Sequence, residues 1–130
     1  MTLDISDITE KIIGCAYRVY NTMGSGFLEA VYGKCLAIEF DQAGLRAEFQ
    51  KPIEVFYFGQ NVGCYVADIV VDGQVIVELK AVRSLATVHE VQLVNYLAAT
   101  KMSVGLLINF GETKVEVKRR VLRLNDMMGA

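Results

Sequence analysis

Apolar residues recur every three or four positions through Ile5, Ile8, Ile12, Cys15, Ala16, Val19 and Met23, and this spacing predicts an amphipathic first helix. Asp4 or Ser6 is the candidate cap at its start, and Gly24-Ser25-Gly26 ends it. A second helix is predicted from about Leu28 to Ala43, with Gly44 as the stop. The period then changes. From about Ala47 to Phe58 the chain is rich in aromatic and β-branched residues, with Pro52 marking an edge strand or a bulge. Gly59-Gln60-Asn61 is expected to turn the chain into a strand over Val62–Val71. Asp72-Gly73 turns it again into Val75–Ala81, completing a three-stranded antiparallel meander. A helix from about Val88 to Thr100 follows, then an almost wholly apolar strand, Val104–Phe110. After Gly111-Glu112-Thr113, Val115 and Val117 alternate with charged residues in a last strand.

The predicted order is α-α-β-β-β-α-β-β. The third helix is long enough to be a crossover, so the strands on either side of it are expected to be parallel neighbours. One mixed five-stranded sheet flanked by helices, an α/β (α+β) arrangement, accommodates the whole pattern. With 130 residues, 53% of them hydrophobic, and a single proline, the chain is expected to form one domain over residues 1–130.

Charge and cysteine content narrow the picture. Thirteen Lys and Arg against fifteen Asp and Glu give a formal charge of -2, so the protein is no general polycation. Lys114, Lys118, Arg119, Arg120 and Arg123 nevertheless form a local basic strip, more simply read as protection of an edge strand than as a phosphate track. Cys15, Cys35 and Cys64 are odd in number and hold no C-x-x-C pair, which argues for a reducing cytoplasm and against a disulfide framework. The N-terminal residues lack the pattern of a secretory signal, and no apolar run is long enough to span a bilayer, so no membrane role is expected.

Two carboxylates interrupt apolar strands. Asp68 sits within Ala67-Asp68-Ile69-Val70-Val71, and Glu78 follows Val75-Ile76-Val77. Burying ionised carboxylates side by side is costly unless a proton or a cation lies between them. A hard divalent ion such as Mg²⁺ takes oxygen ligands and answers that need. Glu78 and Lys80, two apart, share a strand face. A two-residue turn would put Asp68 on the other face. A three-residue connection with Gly73 left-handed is expected instead, setting Asp68 opposite Ile76 and diagonal to Glu78 on one face. An isolated Glu-x-Lys is more often an exposed ion pair, but the flanking apolar runs favour a buried site.

Asp68 followed by Glu78-Leu79-Lys80 resembles the signature of the PD-(D/E)xK nuclease superfamily, in the right order of elements. Ala67 stands where the name-giving proline would be. Gly26-Phe27-Leu28-Glu29-Ala30-Val31-Tyr32 is similar to the G-x-x-E-x-x-Y signature of a family of small proteins within that superfamily. His89–Tyr96 and Leu107–Gly111 resemble its later segments. The resemblance runs from about residue 5 to 122. It implies a restriction-endonuclease-like core in which Asp68 and Glu78 bind Mg²⁺ or Mn²⁺, helped by the Leu79 carbonyl, while Lys80 orients the attacking water. It also implies a catalytic or metal-site role for Glu29. Gln92 and Tyr96, four apart on the third helix, match the accessory Gln-x-x-x-Tyr motif of related exonucleases, Gln92 supporting catalysis and Tyr96 contacting substrate. Tyr32 and Arg83 are further candidate substrate contacts, although a core tyrosine and a solvated loop arginine are their simpler roles. His89 is more simply a helix cap than a cleft residue.

The expected function is metal-dependent hydrolysis of phosphodiester bonds in DNA or RNA. The alternatives are a non-catalytic nucleic-acid-binding or protein-interaction module that keeps the fold, and a purely structural domain with Asp68 paired to Lys80. Nucleic acid is the expected partner, with a homodimer or a partner protein as the source of additional binding surface.

Overall fold

The structure, a computed structural model, describes residues 3–122. Its elements run α1 (Ile5–Met23), α2 (Glu29–Gln42), β1 (Ala47–Tyr57), β2 (Gln60–Val71), β3 (Val75–Lys80), α3 (Thr87–Thr100), β4 (Val104–Phe110) and β5 (Val115–Val121). This is the predicted α-α-β-β-β-α-β-β order, and the strands form one sheet in sequence order. Only β3 and β4 are parallel, joined through α3 as the crossover.

Each helix starts and stops for local reasons. The Asp4 carboxylate accepts the Asp7 N–H (2.8 Å), satisfying one of the donors that a helix start leaves free. Gly24, at φ 73°, ends α1 in a conformation that suits glycine. At the start of α3 the His89 Nδ1 accepts the Ala86 N–H (3.1 Å), the capping role expected for that histidine.

The sheet has an apolar layer on each face. Ile8, Ile12, Val19, Leu36 and Phe40 pack with Ile69, Val77, Leu106 and Ile108 on the side covered by α1 and α2. On the other side Leu93, Tyr96 and Leu97 of α3 cover Val70, Ile76 and Leu107. β3 and β4 are therefore buried on both faces, as their unbroken apolar runs demand. α3 lies close to β4: a side chain at Gly105 would place its Cβ 2.6 Å from the Leu93 side chain.

The turn between β2 and β3 corrects one expectation. Asp72 and Gly73 both have positive φ (52° and 64°), and the Gln74 N–H bonds the Val71 carbonyl (3.0 Å). This is a type I′ geometry with Gln74 as an extra residue, and it pairs Val71 with Val75, Val70 with Ile76 and Ile69 with Val77. Ile76 thus faces Val70, not Asp68. Continuing the register sets Asp68 directly opposite Glu78.

β1 and β2 also turn earlier than expected, at Phe58-Gly59, so β2 begins at Gln60. β1 is an edge strand and carries a register shift after Val55, as Pro52 had hinted. β2 is paired to β3 only over Ile69–Val71, whereas its pairing with β1 extends over the whole hairpin. The hairpin therefore leaves the sheet as a two-stranded arm whose base, at Ile53 and Ala67, still packs under α3 and whose exposed part is residues 56–66.

Candidate active site

The β2–β3 ladder stops at Ile69 and Val77, and the next residue on each strand is an acid. The two acids take over where the backbone pairing ends. The Asp68 N–H donates to Glu78 Oε2 (2.6 Å), and the Leu79 N–H donates to Asp68 Oδ2 (2.8 Å). Each carboxylate thus satisfies the amide that the departing partner strand leaves behind. The bonds engage one oxygen of each acid, leaving the second oxygen of each outside the exchange.

Glu78 is only 6% exposed. Burial, and then the negative charge of Asp68, push its carboxyl up to about 8, against the pull of the Asp68 N–H and the Lys80 charge. Glu29 adds a weaker upward push. Near neutral pH and without a compensating cation, Glu78 is therefore mostly protonated. Asp68 is partly exposed and opens onto a groove of about 630 Å³ between α2 and the β1–β2 base. Glu29, Ala30, Gly33 and Lys34 form one wall, with Phe49, Gln50 and Leu79 opposite.

Asp68 and Glu78 alternate with Ile69, Val77 and Leu79 and so share the sheet face of Val70 and Ile76, the face that α3 covers, where Tyr96 is nearly buried. Its hydroxyl is pushed up chiefly by burial, then by Glu78, Asp68 and Tyr65, while a hydrogen bond from Gln92 acts the other way. Tyr96 therefore stands as a neutral phenol within the field of both acids, with Gln92 one turn before it on α3. Lys80, two residues beyond Glu78, is held at the end of β3. Just after it, the buried Asn109 side chain accepts the Val82 N–H and donates to the Val82 carbonyl (2.9 Å each).

The structure thus brings Asp68, Glu78, Leu79, Lys80, Gln92 and Tyr96 to one place, with Glu29 at the rim of the groove. Two of the candidate substrate contacts lie elsewhere. Tyr32 is fully buried, stacks on Phe110 (4.2 Å), donates to the Gly24 carbonyl (2.6 Å) and accepts the Phe27 N–H (3.4 Å). It ties the 24–28 loop to the core and has no surface to offer a substrate, which replaces the expected contact with a structural role. Arg83 pairs with Glu112 (3.0 Å) in a separate cleft bounded by residues 25–28 and 110–112. In the basic strip, Arg119 donates to Thr9 and Arg120 pairs with Glu90, while Arg123 lies outside the described residues.

Several site neighbours escaped the sequence reading. Lys34 and Gly33 fall one turn beyond Glu29 and Ala30, and that small, polar helix face was the available signal. Asn109 was visible as the one polar residue in an apolar strand. Tyr65, whose ring lies 5.4 Å from that of Tyr96, and Gln50 gave no comparable sign.

Among the described residues no three His, Cys, Asp or Glu side chains stand close enough to form a metal cluster by themselves, so Glu29 does not complete a three-carboxylate set. Two carboxylates with one oxygen each to spare, beside the backbone of Leu79, form an all-oxygen set that fits a hard cation completing its shell with water. The cost of ionising Glu78 is itself the deficit such a cation would offset.

The comparisons with known proteins agree with this fold. The crystal structure of SSO0001 shares the fold, with a TM-score of 0.59 at 18% identity over 95% of this chain, which spans 61% of that one. No curated protein matches the chain. The family model described as PD-(D/E)XK nuclease superfamily matches residues 6–121, from the first turn of α1 to the end of β5, and the chain belongs to that superfamily.

Proposed function

We propose that the protein is a Mg²⁺- or Mn²⁺-dependent nuclease that hydrolyses phosphodiester bonds, with DNA as the first substrate to test and RNA as the second. The observation that carries this reading is the pair of acids at the point where β2 and β3 part, each bonded to the other's strand. A purely structural ion pair would not require a second acid where the first already meets the backbone.

Asp68 and Glu78 would hold the ion, with the Leu79 carbonyl as a third oxygen. When bound, the ion would polarise a phosphoryl oxygen and lower the pKa of a water for in-line attack. Lys80, close enough to Glu78 to pull on its titration, would orient that water and offset charge developing on the phosphoryl group. Tyr96, kept as a phenol, would offer an O–H donor to a phosphate oxygen, with Gln92 one turn before it in support. Glu29, at the mouth of the groove, would order water there. The resemblance to the G-x-x-E-x-x-Y family remains the reason for testing Glu29 first among the outer residues. All three cysteines are free thiols, which suits a cytoplasmic setting. Among the described residues no helix is long and apolar enough to cross a membrane.

The test is cleavage of single- and double-stranded oligonucleotides with Mn²⁺ by the wild type, Glu78→Gln and Lys80→Ala. Both variants should fold, and each should cut slower by roughly a hundredfold or more, the usual scale for losing an electrostatic catalytic group. Equal activity in all three preparations would mark a contaminant and end the reading. Salt-sensitive binding without cleavage would instead favour a nucleic-acid-binding module that keeps the nuclease fold.

A further inference from the structure

The β1–β2 arm calls for an explanation that the active site does not give. Above Ala67, β2 has β1 as its only strand neighbour among the described residues, and a lone two-stranded ribbon is marginal in water. Yet its side chains are those of an interior. Phe56, Tyr57, Phe58, Val62, Tyr65 and Val66 are exposed to between 46% (Val66) and 86% (Phe58). With about 150–250 Å² for a whole aromatic side chain, these fractions leave roughly 700 Å² of apolar surface in water. This surface is spread over both faces and the tip of the ribbon, because Tyr65 pairs with Ile53 on the face turned to α3 while Val66 pairs with Pro52 on the other.

Charge narrows what covers this surface. The thirteen residues from Val55 to Ala67 carry no charge at all, and the nearest charged residues are Glu54 and Asp68. Lys51, the nearest cation along β1, is paired with Glu48 (2.6 Å). A surface that tracks a phosphate backbone needs free cations, and this one offers acids at its borders. A twofold interface, by contrast, requires a patch that tolerates its own copy, and a neutral apolar patch does so without repulsion.

The tip adds an independent sign. Phe58 and Gly59 form the turn, at φ 47° and 75°, and the first of these positions ordinarily goes to Asn, Asp or Gly. A bulky aromatic held left-handed and mostly exposed is unfavourable for the isolated hairpin both in its backbone and in its hydration. Its presence makes sense where the ring is buried by something else.

We propose that the arm is a dimerisation element, docking its apolar tip and faces against a second copy of this chain. A copy that wraps the tip and both faces would bury close to the roughly 800 Å² per partner of a standard stable interface. Contact is through the faces and the tip, because Pro52 interrupts the hydrogen-bonding edge of β1 and discourages strand addition there.

Phe58→Asn is the sharpest test, since Asn-Gly suits the turn better than Phe-Gly and the variant should melt no lower than the wild type when both are dilute. Sedimentation of the metal-free protein up to about 100 μM, where an interface of micromolar affinity is largely saturated, should show a wild-type species of twice the chain mass. Phe58→Asn should weaken that association by about tenfold or more, and Tyr57→Ser combined with Phe58→Asn should leave a monomer. The dimer should persist at high salt, since no charges hold it. A wild-type monomer across this range, or a dimer indifferent to Phe58→Asn, overturns the proposal. So does a monomeric wild type whose oligonucleotide binding falls in Phe58→Asn, which would make the arm a base-stacking surface. Cleavage activity is not a readout here, so failure of the dimer leaves the nuclease reading untouched.

Discussion

β2 is one strand in two environments. From Ile69 to Val71 it lies between β1 and β3 with both faces covered, and its side chains are buried. From Gln60 to Val66 it has one strand neighbour among the described residues, touches α3 through Tyr65, and turns most of its side chains to water. Valines run through both halves, Val62 and Val66 above and Val70 and Val71 below, although the upper half adds Gln60, Asn61 and Tyr65. What changes is the presence of β3, and Asp68 stands at the boundary. The site arises where backbone pairing ends inside an apolar setting, since only there does a strand offer unpaired amides next to buried acids. Apolar residues in the lower half stabilise the fold; those in the upper half are free to serve an interface.

The widest separation between the two halves should appear in stability. Leu106, fully buried on β4, should cost about 2–5 kcal/mol when truncated to Ala, by lost burial plus the cavity left behind. Val66→Ala on the arm should change the stability of the dilute chain by no more than about 0.5 kcal/mol. Denaturant titrations of both variants measure this directly. Comparable costs would mean that the arm belongs to the core after all.

A second, smaller effect probes the boundary itself. Mg²⁺ or Mn²⁺ binding to the native state should stabilise the wild type by about 2.7 kcal/mol at a hundredfold excess over its dissociation constant. Asp68→Asn and Glu78→Gln should each abolish most of that gain, whereas arm substitutions should leave it intact. Thermal melts with and without the ion decide the matter. A gain that survives both acid substitutions would place the ion elsewhere.

The unequal legibility of these regions has a physical cause. The runs through β3 and β4 were readable because a strand buried on both faces has almost no choice of residue type, and a helix between two such strands dictates their parallel pairing. Asp68 and Glu78 stood out against that background. The three-residue connection and the left-handed Gly73 were legible too, but the register was set wrongly: with residues 72–74 as the loop Val71 pairs with Val75, so Asp68 faces Glu78 and not Ile76. The projection of the arm was hidden, since alternation of side chains records that a strand has a neighbour, not how many. Tyr32 was misread for a different reason. Its partner, the Gly24 carbonyl, lies in a loop whose path depends on where α1 stops and α2 starts. Likewise Gln50, at φ 53° with no ladder partner across from it, lies opposite Asp68 in a backbone irregularity that side-chain patterns do not encode.

The finest probe of the boundary is the pH dependence of the metal-free protein. In the unfolded chain Glu78 loses its proton near its ordinary value of 4.5, whereas in the fold it keeps it up to about 8. Between those values the native state binds more protons than the unfolded state, so stability falls as pH rises across this window and levels off above it. One such group gives a slope of at most about 1.4 kcal/mol per pH unit, less wherever other groups titrate in the opposite sense. Glu78→Gln can still accept the Asp68 N–H through its amide oxygen but has no proton to lose, so its profile should be flatter and should cross above that of the wild type by pH 8. Saturating divalent ion should flatten the wild-type profile too, because an ion that takes the proton's place removes the reason for the carboxyl to stay neutral. Denaturation midpoints at half-unit steps, for both proteins with and without the ion, give the comparison. If the wild type and Glu78→Gln run parallel throughout, Glu78 is not protonated in the fold. The two acids would then be held apart by something other than the shared burial that makes this junction a site.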